Sequence, residues 1–162
     1  MEEKKITISY NQYSDSGELP IEESELLSAA SEALKSSYAP YSQFRVGAAV
    51  LLESGKVVQG SNQENTAYPS GLCAERVAIF AAKAKYPDDK ILAVAVTAHT
   101  DNFEVDKPIT PCGACRQVIA ETEKRQKSKL KILMKGHTGP IISVDGVEAL
   151  LPLMFHEEKL KK

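Results

Sequence analysis

The three cysteines of this chain all stand where chemistry is feasible. Cys112 and Cys115 belong to a Pro111-Cys112-Gly113-Ala114-Cys115 unit, and Cys73 lies two residues before Glu75 in Cys73-Ala74-Glu75-Arg76. A C-x-x-C spacing at a helix start sets two sulfurs about one turn apart, within reach of one ion. A third sulfur from elsewhere makes three protein ligands, and a tetrahedral zinc then keeps a fourth position for water. Helix N-termini suit thiolates, because their free N–H groups carry partial positive charge and lower a thiol's pKa. Three thiolates on a divalent ion leave a negative centre, which weakens the metal as a Lewis acid. Two helix ends, and Arg76 hydrogen-bonding to sulfur, would offset that excess. Glu75 stands beside a ligand candidate and is a candidate for proton transfer.

Two other readings use the same residues. A C-x-x-C pair can be a redox couple, which leaves Cys73 without a task. A closed structural zinc site needs a fourth soft ligand. Only His99, His137 or His156 could supply it, and none lies in a ligand-spaced motif.

The elements that must hold these residues can be read from periodicity. Ile6, Ile8 and Tyr10 alternate with Thr7 and Ser9 as in a short strand, and residues 11–17 read as a polar loop. Pro20 opens a helix whose apolar face is Leu26, Leu27, Ala30, Ala33, Leu34 and Tyr38, ended by Ala39-Pro40. Residues 45–52 and 56–60 flank Glu53-Ser54-Gly55 as a hairpin. A helix follows Cys73, with Ala74, Val77, Ala78, Ala81 and Ala84 on one small-residue face. Residues 91–97 read as a buried strand, 99–109 as a loop, 111–123 as a second central helix, 130–134 as a strand and 147–151 as a short last helix. The alternation implies a mixed sheet covered by helices, an α/β fold.

Composition narrows the class. With 162 residues, 43% hydrophobic and 26% charged, the chain fits one soluble globular domain. A net charge of -2 removes the basic balance that would make nucleic acid the default partner. The run Lys124, Arg125, Lys127, Lys129, Lys131 and Lys135 reads as a solvated helix end, and aromatic residues are only 6%, none of them Trp. Three cysteines are too few and too odd for a disulfide framework. With no targeting segment behind Met1-Glu2-Glu3-Lys4-Lys5 and no apolar stretch of membrane-spanning length, the expectation is a cytoplasmic protein with no membrane partner.

The motifs resemble cytidine deaminase, in its short three-cysteine, homotetrameric type. Cys73-Ala74-Glu75 with Pro111-Cys112-Gly113-Ala114-Cys115 resembles the signature of the zinc nucleoside deaminases, in which the first ligand is His or Cys. Phe44-Arg45-Val46-Gly47-Ala48-Ala49, Asn62-Gln63-Glu64-Asn65, Ala67-Tyr68-Pro69-Ser70-Gly71-Leu72 before Cys73, Arg116-Gln117 after Cys115, and Leu150-Leu151-Pro152 with Phe155 follow in the family's order, covering residues 26–155.

The resemblance implies a three-layer α/β/α cytidine-deaminase-like sandwich with a mixed sheet, spanning residues 21–162. Residues 1–20 would be an extension, an added edge strand and loop. It implies one zinc ion per chain on Cys73, Cys112 and Cys115. Glu75 would carry a proton from water to the ring N3 and then to the departing amine. The products would be uridine or deoxyuridine and ammonia, from cytidine or deoxycytidine, as in pyrimidine salvage. Asn62 and Glu64 match the ribose-binding positions, Phe44 the pyrimidine-side aromatic and Ala74 a substrate-binding position. Arg76 would tune the zinc thiolates, and Phe155 would reach a neighbouring subunit's site. The chain departs from the pattern in residues 1–20, in Gln63 where the family often has Ile or Val, and in a longer, more polar loop at residues 99–108 that could change access to the site. Competing readings are a deaminase of a related aminopyrimidine nucleoside of the blasticidin S kind, a polynucleotide-editing deaminase, and a non-catalytic zinc-stabilised module.

Overall fold

A computed structural model describes residues 1–155 and Glu157. Its strands are β1 (Asn11–Tyr13), β2 (Arg45–Leu52), β3 (Val57–Ser61), β4 (Ile91–His99), β5 (Lys131–Lys135) and β6 (Ile141–Asp145); its helices are α1 (Ile21–Ala33), α2 (Ala74–Lys85) and α3 (Gly113–Gln126). The strands form one sheet in the order β1-β6-β5-β4-β2-β3. Only β4 and β5 run parallel, joined by the α3 crossover; every other pair is antiparallel. This is the mixed α/β sandwich that the motifs imply.

Alternation along β2 explains the three layers. Ala49 and Leu51 face α1, where they pack with Leu26, Leu27, Ala30, Leu133 and Ile141. Ala48, Val50 and Leu52 point the other way, into the larger core with Ala78, Ile79 and Ile119 from α2 and α3. Two glycines let the helices come close. A Cβ on Gly47 would run into the Ala30 carbonyl of α1. One on Gly60 would meet Ala78 N and, at 2.6 Å, the Ala74 carbonyl of α2. Gly60 therefore fixes the depth of the α2 turn that carries Glu75.

The N-terminal strand differs from its sequence reading. Residues 6–10 hold no regular structure, and Ile6, Ile8 and Tyr10 are exposed. The strand is Asn11–Tyr13, expected as loop, and it pairs with β6 at the sheet's edge. Register decides this: Tyr13 opposite Ile141 packs against the α1-side core, a burial that Ile6 and Ile8 do not reach. β6 was not foreseen at all. The last helix shrinks to one 3-10 turn, Val147–Ala149, and α3 runs on to Gln126, closed by Lys127 at φ 54°.

The loop at residues 99–108 is fastened. Its Val105 carbonyl accepts from His137 N at 2.8 Å and Thr138 N at 3.2 Å, and Glu104 accepts from Thr138 Oγ1 at 2.8 Å. Among the described residues no helix is long and apolar enough to cross a membrane. Of the basic run, Lys129 pairs with Glu148 and Lys131 with Glu23, so part of its charge is neutralised within the chain.

Candidate active site

The starts of α2 and α3 converge, and they bring the three sulfurs together. Cys73 and Cys112 are the N-cap residues of α2 and α3, extended in backbone and using no side-chain cap bond; Cys115 lies in the first turn of α3. The Cys73 and Cys112 Sγ atoms are 3.6 Å apart, those of Cys112 and Cys115 3.5 Å, and all three lie within 4.8 Å of one another. Zinc–sulfur bonds of about 2.3 Å at tetrahedral angles give edges of about 3.8 Å, so the donor set fits that ion. This is the one such cluster among the described residues, and no histidine belongs to it. His99 and His137 instead meet ring to ring, tilted at 52° with centroids 4.2 Å apart, His99 facing Asp101, while His156 lies outside the described residues.

Three neighbouring sulfurs cannot all carry charge without a cation. The neighbouring Cys115 thiol and the Arg76 guanidinium draw the pKa of Cys73 down to about 5, against burial. Cys115 is pushed far up by the nearness of the Cys73 sulfur and by burial. Arg76 Nη2 donates to Cys73 Sγ at 3.5 Å, and its Nε is buried without a hydrogen-bond partner among the described residues. Glu75 is 4% exposed, and burial holds its carboxyl above the ordinary value. A carboxyl that keeps its proton longer is suited to proton transfer near neutral pH.

A cavity of about 670 Å³ opens over this cluster, with Cys73, Cys112 and Glu75 on one side and Asn62 and Glu64 on another. Asn62 Oδ1 accepts from Val46 N at 2.8 Å and from Ser37 Oγ, while Nδ2 donates to the Phe44 carbonyl at 2.9 Å. These bonds leave one amide N–H to offer a ligand. Glu64 accepts from Ser42 Oγ, Tyr41 N at 2.9 Å and Ser42 N at 3.2 Å, and the Ser42 hydroxyl above all lowers its pKa, keeping it a carboxylate.

Other expected residues sit elsewhere. Phe44 is not among the lining residues; it is half-buried and stacks on Phe103 at 6.2 Å, and Val46 lines the wall instead. Ala74 is fully buried beneath the site. Phe155 is 71% exposed, away from this chain's own cavity, its carbonyl accepting from Gln117 Nε2 at 2.9 Å. The structure adds Tyr41, Ser42, Tyr68, Ile109 and Thr110 to the walls. Tyr41 and Ser42 had one signal in the sequence: they stand just before the Phe44 motif.

Comparison with known proteins decides the family. Residues 20–129 match the family described as the cytidine and deoxycytidylate deaminase zinc-binding region. The chain belongs to this family. Its metal is zinc, which the three sulfurs fit. A cytidine deaminase from Halalkalibacterium halodurans is 39% identical over 135 residues, 83% of this chain and 95% of that protein. The crystal structure of a cytidine deaminase from Burkholderia pseudomallei superposes with a TM-score of 0.70 at 40% identity, covering 81% of this chain and 97% of that one. A blasticidin-S deaminase from Bacillus cereus is more distant, 32% identical over 100 residues, 60% of this chain and 70% of that protein.

Proposed function

We propose that this chain is a zinc-dependent cytidine deaminase that hydrolyses cytidine and deoxycytidine to uridine and deoxyuridine, releasing ammonia. One observation carries the reading: three sulfurs at two helix N-termini stand beside a buried Glu75, under a cavity that also presents Asn62 and Glu64. Zinc, when bound by Cys73, Cys112 and Cys115, supplies a Lewis acid that lowers the pKa of water. Glu75 takes the proton of the water that adds at C4, passes it to N3, and delivers a proton to the departing amine. Burial serves this role by bringing the carboxyl's affinity for the proton closer to that of its exchange partners. Arg76 and the two helix ends hold the thiolates' charge in check. Asn62 offers an amide N–H and Glu64 a permanent carboxylate to the sugar hydroxyls, which both donate and accept.

The charged groups lining the cavity favour a free nucleoside over its monophosphate. Glu64 and Glu75 are acidic, Arg76 is engaged with Cys73, and no lysine is among the lining residues described. The Asn62–Glu64 pair likewise favours an ordinary sugar over an antibiotic of the blasticidin S kind.

A homotetramer is the assembly we infer, supported by the apolar Tyr68, Phe80, Leu153 and Phe155 exposed on the single chain, with Phe155 completing a neighbour's site. Residues 21–162 would form the catalytic domain and residues 1–20 an added edge. Three thiols kept reduced for a metal suit the cytoplasm, and pyrimidine salvage is the corresponding role. The test is loss of ultraviolet absorbance when zinc-loaded protein meets cytidine, deoxycytidine, deoxycytidine monophosphate and blasticidin S in turn. Loss is expected with the first two. Loss confined to the monophosphate or to blasticidin S contradicts the substrate assignment, and no loss with any contradicts the activity.

A further inference from the structure

The first turn of α3 carries, beside Cys115, a side chain whose bonds reach away from the sulfurs. Arg116 Nε donates to the Pro111 carbonyl at 2.7 Å, Nη1 to the Leu150 carbonyl at 2.7 Å and Nη2 to Thr110 Oγ1 at 3.3 Å. The acceptors lie in two segments far apart in sequence. Thr110 and Pro111 lead into Cys112, and Thr110 lines the cavity. Leu150 follows the 3-10 turn Val147–Ala149. One planar group thus ties the approach to Cys112 to the C-terminal part of the fold.

That approach needs a tie. Pro111 has no N–H to give to a ladder, so its carbonyl is its only backbone hydrogen-bonding group. Cys112 is an N-cap without a side-chain cap bond, and it is the exposed member of the three cysteines. It is therefore the sulfur least held by packing. A charged donor to a carbonyl makes a stronger bond than a neutral one, and the rigid guanidinium fork fixes direction as well as distance. Metal sites tolerate deviations of only about 0.2 Å in ligand distance, so slack in residues 110–112 would be felt at the ion.

We propose that Arg116 is a positioning residue: its fork holds the Thr110–Cys112 segment against Leu150 and so keeps Cys112 in register with Cys73 and Cys115. The proposal rests on the reading of the three sulfurs as the zinc site, and it goes beyond that reading by giving the geometry of Cys112 an external strut.

The test compares the purified zinc-loaded protein with Arg116→Gln and Arg116→Lys. Two readouts are taken: the rate of zinc transfer to a chromogenic chelator, which needs no activity, and kcat and KM for cytidine. In Arg116→Gln zinc release is expected to quicken by about 10–100-fold, with kcat per bound zinc falling by a similar factor. KM should change less than kcat, because Asn62 and Glu64 are not touched. Arg116→Lys keeps the charge without the fork, and its release rate should stay close to that of Arg116→Gln. Parent-like release and kcat in Arg116→Gln overturn the proposal. So does a lowered Tm with unchanged release and kcat per bound zinc, which marks a merely structural contact. Full recovery in Arg116→Lys shows that charge and not the fork matters, and it also overturns the proposal. If Arg116→Gln does not fold, Arg116→Lys alone decides by its release rate. A parent that binds zinc but leaves cytidine unchanged refutes the activity reading, and the release rates still decide the role of Arg116.

Discussion

Arg76 Nη2 donates to the Cys73 sulfur at 3.5 Å, across one turn of the α2 N-terminus. The bond places a fixed positive charge beside a sulfur that already stands at the positive end of α2. Replacing it with Arg76→Gln should leave more negative charge on the metal centre. We expect kcat for cytidine to fall by about 10–100-fold with zinc still bound after purification. Steady-state kinetics with metal analysis check this, and an unchanged kcat contradicts the charge-tuning role.

Glu64 is held as a carboxylate by Ser42 and by the Tyr41 and Ser42 amides. Glu64→Gln keeps the size and removes the charge. If Glu64 binds the sugar equally in ground and transition states, KM rises while kcat stays near the parent value. A fall in kcat at constant KM places Glu64 in the chemistry instead.

Gly60 lets α2 lie close on β3. A methyl group there meets backbone atoms, which cannot rotate aside. Gly60→Ala should destabilise the fold by about 1–3 kcal/mol and weaken zinc retention through the displaced α2 turn. Urea unfolding with metal analysis measures both, and parent-like values in each sink the argument.

Glu123, near the end of α3, is half-buried and accepts from Leu130 N at 3.0 Å and Val147 N at 3.2 Å. Burial raises its pKa above the ordinary 4.5, so the folded chain binds that proton more tightly than the unfolded chain. Its contribution to stability is complete below the unfolded value and is lost as pH rises through the folded one. Glu123→Gln keeps an acceptor and cannot ionise. The Tm difference should therefore shift in the variant's favour between acid and neutral pH, and a difference independent of pH is the contrary result.

Much of the site was legible because its chemistry sits in contiguous motifs. Cys73, Glu75, Cys112 and Cys115 each lie at a helix start, which the sequence marks by Pro111, by Pro69-Ser70-Gly71 and by the turn to small helical residues. The central elements were legible too: the helices by their periodicity, β2 by the hairpin turn that follows it, and β4 as an apolar run of strand length. Residues 6–10 show why periodicity alone misleads. Their alternation is as regular as that of a strand, but only Asn11–Tyr13 finds β6 and a core to pack on. β6 went unseen because its five residues mostly face core on both sides and so do not alternate. Phe44 was expected at the cavity from its motif, yet its ring turns to Phe103, a residue of the 99–108 loop whose position no local pattern reveals. Arg116 stood inside a recognised motif, but its partner Leu150 is 34 residues away, and only the fold brings them together.

The central claim is that three cysteines hold the metal while Glu75, not a ligand, moves the proton. Glu75→Gln separates the two roles in one preparation. Zinc content by metal analysis, measured beside cytidine turnover, should show about one zinc per chain and turnover reduced to background. Loss of the zinc together with activity would make Glu75 a ligand, and full turnover with zinc bound would remove it from the reaction.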